Sequence, residues 1–392
     1  MLTHLAGPYV VGIDAGGTKT RCVVLTLGGA LAGSGTGPGA NPNSGGDTAG
    51  ALRTALREAL GDLDRTHVLT GVFGIAGAGS AGRPAAVTAA RRAWQAMGLR
   101  GSPAVVTDIA VAFAAGTSRS KGIVVFSGTG AGAAVISDGT IVQRADGYGF
   151  LVGDEGSAVW LGKEAVRAAL AAYDGRGSPT LLTDSVPRAL LGPSVVAEID
   201  AARRRQHRPH RHLAMAHAAH GAAAPHAPHG APQPVTLPAG GGTAVLVHEA
   251  VPTPAGPCPA GPPGHPEHPG TPPNPQLAQA IIKEVYGRPA SALGRLGPVV
   301  AAAAAAGDPV AKRITEEAAA SLLRDVDAVR PALSDPRAPV VMHGSVLREG
   351  PVADAVRTGL RHRFAEAPRS AGDGAVGAAG LALRRLGHPL PH

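Results

Sequence analysis

The sequence predicts an α/β fold built from two similar domains that face each other across a cleft. Strand-like apolar segments alternate with amphipathic helical segments along most of the 392 residues. One plan occurs near Tyr9 and again near Gly122: an apolar strand, a glycine- and threonine-containing turn, a second strand, a turn and a third strand. A stretch rich in histidine and proline, from Arg203 to Pro275, interrupts this alternation.

Eight segments rich in apolar and β-branched residues are the predicted strands. They are Tyr9–Asp14, Arg21–Leu27, Leu31–Gly35, Val68–Ala76, Ala104–Asp108, Gly122–Ser127, Ala131–Ser137 and Pro339–His343. Seven segments with apolar residues at helical spacing are the predicted helices. They are Gly46–Leu60, Pro84–Met97, Ser157–Tyr173, Pro275–Tyr286, Asp308–Val329, Pro351–Arg361 and Gly374–Leu386.

The segment from Arg203 to Pro275 is predicted to be a disordered insert. It holds ten of the sixteen histidines and nearly half of the prolines, with little apolar periodicity. Such a composition cannot bury enough apolar surface to offset the entropy of an ordered chain. Its histidines have no preset geometry for a metal ion, because a flexible chain does not hold ligands at fixed distances.

Charge, cysteine content and hydropathy exclude several classes of function. The net charge of +8 lies partly in clusters without interleaved aromatic residues, so we predict no nucleic-acid partner. Two cysteines, Cys22 and Cys258, are too few for a disulfide framework or a four-thiolate cluster within one chain. No apolar run reaches membrane-spanning length, and the N-terminal residues do not resemble a secretion signal. We therefore expect a cytoplasmic protein without a membrane partner.

The stretch VVGIDAGGTKT, residues 10–20, approaches a Walker A loop but is followed by a strand instead of a helix, which predicts a β-hairpin turn. Gly16 and Gly17 would let backbone N–H groups approach a phosphate, and Thr18 and Lys19 would add donors. Asp14, at the strand end, suits a hydrated Mg²⁺ beside that phosphate. A plain hairpin turn would explain the glycines alone.

Two further turns repeat this chemistry. Residues 127–132, Ser-Gly-Thr-Gly-Ala-Gly, follow an apolar strand, so Gly128, Thr129 and Gly130 form a second candidate phosphate turn. Gly344 and Ser345 follow another strand, where small residues would let a flat base lie close to the backbone.

Asp108 lies at the end of an apolar strand, before a helix predicted to start at Ile109. Ligands of α/β sheets bind at that edge, so its carboxylate is a candidate catalytic base. The alternative is a structural N-cap. Asp154 and Glu155 have the same alternative, as caps of the helix that begins near Ser157.

These segments together resemble the N-acetylglucosamine kinase and BadF/BadG/BcrA/BcrD ATPase family of the sugar kinase/Hsp70/actin superfamily. The resemblance spans nearly the whole chain except the insert. The residues that carry it are DAGGTKT at 14–20, TDIAVA at 107–112, SGTG at 127–130, GYGFLVGDEGSAVWLG at 147–162 and HGSV at 343–346.

The resemblance implies two RNase H-like (actin-like ATPase) domains around a nucleotide cleft, at residues 1–117 and 118–373. It further implies that the C-terminal helix, 374–387, packs on the first domain and that the insert is residues 203–275 of the second.

The resemblance also assigns roles to individual residues. Residues 14 and 16–19 match the first phosphate motif, 128–130 the second, and 344–345 the adenosine motif. Asp108 matches the acid that accepts the proton of the sugar hydroxyl, while Asn41, Tyr148 and Asp154 fall where the family contacts its sugar. The implied activity is transfer of the γ-phosphoryl of ATP, with Mg²⁺, to a hydroxyl of N-acetylglucosamine or a related amino sugar. A homodimer is expected by analogy.

Three departures bear on the identity of the sugar. Gly132 stands where animal N-acetylglucosamine kinases carry a sugar-binding asparagine, Tyr148 stands in place of a tryptophan, and His343 is unusual before the Gly-Ser pair. A lost amide contact would shift preference toward another amino sugar or a hexose.

Three alternative functions were weighed. An ATPase activator with an iron–sulfur cluster shared by two subunits needs ordered, adjacent cysteines, which Cys22 and Cys258 do not provide. A sugar-sensing regulator needs a DNA-binding helix pair before the strand at Tyr9, and the residues of this sequence before Tyr9 are too few for one. A nucleotide-binding protein that has lost catalysis and works by domain closure stays open at this stage.

Overall fold

Ten β-strands form two five-stranded sheets in the computed structural model, which describes residues 7–42, 45–79, 81–206, 275–333, 335 and 337–388. The first sheet has the strand order β3-β2-β1-β4-β5. Its members are β1 (Tyr9–Ala15), β2 (Lys19–Thr26), β3 (Leu31–Pro38), β4 (Val68–Ile75) and β5 (Ala104–Thr107). Strands β1, β2 and β3 are antiparallel neighbours joined by short turns, while β4 and β5 run parallel to β1 after helical crossovers.

The second sheet repeats this topology, with the order β8-β7-β6-β9-β10. Strands β6, β7 and β8 are antiparallel, and β9 and β10 run parallel to β6. The members are β6 (Lys121–Ser127), β7 (Ala131–Ser137), β8 (Thr140–Asp146), β9 (Val340–His343) and β10 (Arg369–Ser370). The repeated plan predicted near Tyr9 and Gly122 is therefore confirmed.

Eleven α-helices accompany the sheets in the described ranges. They are α1 (Thr48–Leu60), α2 (Arg83–Ala96), α3 (Asp108–Gly116), α4 (Ala158–Tyr173), α5 (Leu182–Leu191), α6 (Pro193–Gln206), α7 (Pro275–Tyr286), α8 (Gly297–Ala305), α9 (Pro309–Val329), α10 (Pro351–Arg361) and α11 (Gly374–Arg385). Short 3₁₀ helices occupy Arg65–His67, Ala290–Leu296 and Arg330–Ala332.

Helices α3 and α11 connect the interiors of the two sheets. One buried cluster contains Val10 and Val72 of the first sheet, Val124 and Val341 of the second, and residues of both helices. The approach is close because a Cβ at Gly12 of β1 would overlap the backbone of α11. A separate cluster, which includes residues of α1 and α2, fills the other face of the first sheet.

The chain divides into two compact units, Met1–Glu198 with Pro275–His392, and Ile199–Asn274. Both sheets belong to the first unit. Within the second unit the structure describes the end of α6. The domain boundary between residues 117 and 118 remains a prediction.

Several sequence-based boundaries need correction. The predicted strand Ala104–Asp108 ends at Thr107, because Asp108 already begins α3. Residues 203–206 of the predicted insert end helix α6, and Pro275 begins α7; the rest, 207–274, lies outside the described residues.

Strand β10 and three α-helices were not predicted, and β8 was predicted as the third strand of the second repeat but without bounds. Strands β8 and β10 are exposed edge strands that lack a buried apolar run. Helix α5 contains Pro187, helix α8 is apolar on all sides, and α6 has no buried residue among its described side chains and carries three consecutive arginines in its last turn. A search for amphipathic periodicity misses such segments.

Among the described residues no single helix is both long and apolar enough to span a membrane. A pair, Ala290–Ala305 and Pro309–Ala332, reaches that length and composition together but is bent by 119° at its break.

Candidate active site

The first glycine turn joins β1 to β2 and is held by backbone hydrogen bonds. The Gly16 N–H donates to the Lys19 carbonyl at 2.9 Å, and the Gly16 carbonyl accepts from the Ala40 N–H at 3.0 Å. Gly17, Thr18 and Lys19 are exposed, and a Cβ built at Gly17 would meet nothing within 4 Å. This turn is open on the side from which an anion could reach the backbone.

The second glycine turn, residues 128–130, joins β6 to β7 and is tied to the start of α4. The Gly128 carbonyl accepts from the Ala158 N–H at 2.8 Å, and the Ser127 hydroxyl donates to the Gly156 carbonyl at 2.8 Å. Within the turn the Gly128 N–H donates to the Gly130 carbonyl at 2.9 Å. Hydrogen bonds from the β8–α4 segment and the start of α4 therefore hold this turn in place.

The third turn, Gly344-Ser345 after β9, packs directly on the second. Gly344 has a φ of 103°, a conformation that glycine adopts readily, and a Cβ there would overlap the Ser127 carbonyl. The Val346 N–H donates to the same carbonyl at 3.1 Å. The two predicted nucleotide motifs of the second sheet thus form one continuous surface.

A cavity of about 400 Å³ lies where the carboxyl ends of β1, β9 and β10 meet. Of the predicted site residues, Asp14 and Gly344 line it. The other lining residues are Arg21, Met342, His343, Leu347, Arg348, Ser370, Ala371, Gly372, Asp373 and Gly374.

Carboxylates dominate the electrostatics at this edge. Burial, together with the negative charges of Asp108 and Asp373, raises the pKa of Asp14 to about 7. Burial also raises the pKa of Asp108, while His343 opposes this shift. Burial lowers the pKa of His343, against the influence of Asp108. Asp373 forms an ion pair with Arg21 and caps α11 by accepting from the Ala375 N–H at 3.0 Å.

Asp108 is the first residue of α3 and not its N-cap, so the predicted N-cap position is wrong, although the Asp108 carboxylate accepts from the Ile109 N–H in the first turn of this helix. Thr107 holds that position, without a side-chain capping hydrogen bond. The Thr107 hydroxyl oxygen is buried and has no hydrogen-bond partner among the described residues. An uncompensated hydroxyl thus lies next to the candidate base, at the first residue of the motif at 107–112.

The predicted sugar contacts lie in two loops. Asn41 is half-buried after β3, and Tyr148 is exposed in the β8–α4 segment with the Arg144 guanidinium 5.4 Å from its ring. Asp154 is buried, and its carboxylate accepts from the Ala131 N–H at 3.2 Å, beside the second glycine turn. It does not cap α4, because Ser157 does so by accepting from the Trp160 N–H at 3.1 Å.

No cluster of three or more metal-ligating side chains is present in the described part of the chain. Magnesium ions in phosphate sites need one or two carboxylates, with phosphate oxygens and water completing the shell. The Asp14 carboxylate on the cavity wall fits such a shared site. Arg21, Arg348 and Asp373 were missed by sequence analysis, since no local motif marks them.

The chain is similar to known proteins in sequence and in fold. A segment of 92 residues is 36% identical to the N-acetylmuramic acid/N-acetylglucosamine kinase of Clostridium acetobutylicum, covering 24% of this chain and 30% of that protein. The match thus spans less than a third of the length of this relative.

Two solved structures cover nearly the whole chain. A candidate N-acetylglucosamine kinase from Porphyromonas gingivalis matches with a TM-score of 0.60 at 16% identity, covering 96% of this chain and 99% of that one. A candidate N-acetylglucosamine kinase from Chromobacterium violaceum matches with a TM-score of 0.56 at 20% identity, covering 95% and 98%. They share its fold, which confirms the predicted actin-like architecture. The family model described as the BadF/BadG/BcrA/BcrD ATPase family matches residues 11–382, so the chain belongs to that family.

Proposed function

We propose that the protein is an ATP-dependent kinase that phosphorylates a hydroxyl of N-acetylglucosamine or a related amino sugar. The observation that carries the proposal is the convergence of sequence-distant motifs on one edge of the molecule. Asp14 and His343 line the same cavity, Asp108 interacts electrostatically with both, and Gly344 packs on the second glycine turn. A nucleotide cradle and a base are the parts that phosphoryl transfer to a hydroxyl requires.

In this proposal the two glycine turns hold the phosphates of ATP through backbone N–H groups. The first turn is open to an anion, and Lys19 adds a positive charge at its end. The third turn would receive the adenosine, with the exposed Arg348 at the rim of the cavity. Asp14 would hold Mg²⁺ together with the phosphates. The ion would neutralise charge on the β- and γ-phosphates.

Asp108 is the proposed general base. Its carboxylate would accept the proton of the sugar hydroxyl while the hydroxyl oxygen bonds to the γ-phosphorus and the bond to the β-phosphate oxygen breaks. A carboxylate whose pKa is raised by burial is a stronger base than an exposed one, provided that it is ionised at the working pH. His343 favours the ionised form, because it lowers the pKa of Asp108.

The amino-sugar preference is proposed from the relatives, whose names refer to N-acetylglucosamine and N-acetylmuramic acid. Asn41, Tyr148 and Asp154 are the proposed sugar contacts. A homodimer is proposed by analogy with the family. The iron–sulfur activator is not favoured, because Cys22 is fully buried in β2 and burial raises the pKa of its thiol.

The test is sugar-dependent release of ADP from ATP, measured with N-acetylglucosamine, N-acetylmuramic acid, glucosamine and glucose. We expect the N-acetylated sugars to give the highest rates and chelation of Mg²⁺ to abolish them. Absence of sugar-dependent ADP release across a broad panel, with ATP binding intact, would overturn the kinase proposal in favour of a nucleotide-binding protein without catalysis.

A further inference from the structure

The segment that joins β8 to α4 has an unusual backbone. Asp146 and Asp154 adopt positive φ angles of 56° and 57°, and the glycines at 147, 149 and 156 are also positive. Positive φ is uncommon for residues other than glycine, although aspartate adopts it more often than most. Five residues with positive φ within eleven positions make the shape of this segment dependent on the contacts at its ends.

The Asp146 carboxylate provides such a fixed point. Its Oδ1 accepts from the Asp154 N–H at 2.9 Å and, more weakly, from the Tyr148 N–H at 3.4 Å. Its Oδ2 accepts from the Glu155 N–H at 3.0 Å. One side chain thus joins the beginning of the segment to its end. Hydrogen bonds to an ionised carboxylate are stronger than those between neutral groups.

The far end of this segment supports the second glycine turn. The Asp154 carboxylate accepts from the Ala131 N–H at 3.2 Å and lies against Gly130. The Ser127 hydroxyl bonds the Gly156 carbonyl two residues further on. A displacement of Asp154 would therefore be transmitted directly to the turn.

Between these anchors the segment exposes large apolar side chains. Tyr148, Phe150, Leu151 and Val152 are 65%, 44%, 83% and 79% exposed. Apolar exposure of this kind does not stabilise the local conformation, so the shape of the segment depends on its hydrogen bonds.

We propose that Asp146 is a positioning residue, whose carboxylate holds residues 147–155 in the shape that sets Asp154 against the second glycine turn. It acts through Asp154 and touches neither nucleotide nor sugar. The effect on turnover rests on the proposed kinase function, whereas the effect on the segment itself does not.

The decisive variant is Asp146→Gly, because glycine adopts positive φ freely but lacks both carboxylate oxygens and therefore all three hydrogen bonds. Asp146→Asn keeps one carbonyl oxygen and loses the acceptor for Glu155. Asp138→Gly is the matched control, because Asp138 also has a positive φ, of 49°, in the β7–β8 turn at the opposite end of β8. Its carboxylate has one long contact, with the Ser137 hydroxyl at 3.5 Å.

Amide hydrogen exchange of the full chain would measure the segment without any assay of activity. We expect the amides of residues 147–155 to exchange about tenfold faster in Asp146→Gly than in wild type, because losing a hydrogen bond to a charged group lowers protection by about that factor. The rate in Asp146→Asn should lie between the two, and the rate in Asp138→Gly should equal that of wild type. Equal protection in wild type and Asp146→Gly would overturn the proposal. If Asp146→Gly does not fold, the same comparison with Asp146→Asn decides.

Kinetics provide the second readout. We expect kcat of Asp146→Gly to fall about 10- to 100-fold, the order that small displacements of positioned groups produce, with Asp138→Gly within about twofold of wild type. Faster exchange with unchanged kcat and KM would overturn the role in positioning the turn. If the wild-type protein had no kinase activity, the proposed function would be refuted. The exchange measurement would still test whether the hydrogen bonds of Asp146 hold residues 147–155 in place.

Discussion

The two sheets have the same strand order but present different chemistry at their carboxyl edges. The first sheet ends in carboxylates, with Asp14 on β1 and Asp108 after β5. The second sheet ends in backbone turns, with residues 128–130 after β6 and Gly344 after β9. Since the topology is shared, this division must come from the residues at the strand ends. Each half carries a glycine turn, but the proposed metal ligand and base come from the first sheet and the proposed adenosine turn comes from the second, so neither half alone holds the proposed machinery.

The two hairpin turns also differ in how they are supported. The first is closed by its own backbone and by Ala40, and Gly39 packs on the Gly17 carbonyl, although a Cβ at Gly17 would itself meet nothing within 4 Å. The second is bonded to the start of α4, to Asp154 and to the β9–α10 turn. Substitution of Gly344, which packs on the second turn, should therefore affect folding as well as binding, whereas substitution of Gly17 should affect binding alone.

The largest expected effect is on the charged edge. Asp108→Asn should lower the phosphorylation rate about 10²- to 10⁴-fold, the usual contribution of a general base. Binding of ATP should remain within about twofold of wild type, as measured by calorimetry. Asp354→Asn, an exposed carboxylate on α10, is the control and should keep full activity. If Asp108→Asn turned over at the wild-type rate, Asp108 would not be the general base.

Substitution of a glycine in each half tests the difference in support. Gly344→Ala should destabilise the protein by about 1–3 kcal/mol or more, because it combines a positive φ with overlap of the Ser127 carbonyl. Gly17→Ala should change the unfolding free energy by less than about 0.5 kcal/mol, yet raise the KM for ATP. Denaturant unfolding measures both variants. Equal destabilisation would contradict the contrast between the turns.

The pH dependence of stability should be dominated by buried carboxylates. Asp14 keeps its proton up to about pH 7 when folded but loses it near pH 3.8 when unfolded, so stability falls as the pH rises between these values. Asp14→Asn should flatten this part of the profile and be more stable than wild type above pH 7.

A second carboxylate, Asp325, can be compared with Asp14 in the same measurement of stability against pH. Burial, with the charges of Asp146 and Glu155, also raises the pKa of Asp325 to about 7. Asp325→Asn should flatten the profile of stability against pH to a similar extent as Asp14→Asn. It should leave the phosphorylation rate unchanged, whereas Asp14→Asn should lower that rate. If the stability of Asp14→Asn changed with pH at the same slope as that of wild type, Asp14 would be ionised in the folded protein over this whole pH range.

The smallest expected effect concerns the Arg21–Asp373 ion pair on the cavity wall. Both side chains are partly exposed, so Arg21→Gln should change the unfolding free energy by at most about 1 kcal/mol. Thermal unfolding of this variant beside wild type checks the value. A much larger loss would mean that this pair, and not the shared helices, holds the edge together.

Sequence reasoning succeeded where the signal was local. The apolar run before Asp14 and the glycines at 16 and 17 identified a strand and the turn that follows it. Helices Pro275–Tyr286 and Pro351–Arg361 were predicted with their observed bounds, because their apolar periodicity begins at a proline.

What the sequence could not reveal depends on contacts between distant residues. Nothing near Asp373 indicates that it meets Arg21, and nothing near His343 indicates that it influences Asp108. The three backbone bonds of Asp146 require a positive φ that no motif encodes. The roles of Asn41, Tyr148 and Asp154 toward a sugar stay predictions.

The position of α11 has a consequence for biosynthesis. This helix contributes to the interior that joins both sheets, yet it is translated after every strand of both. Until α11 has been synthesised, the face of the first sheet around Gly12 therefore lacks its cover. The nascent protein must wait for this helix before the interior can close, and chains that terminate before it would present this apolar face to chaperones and proteases.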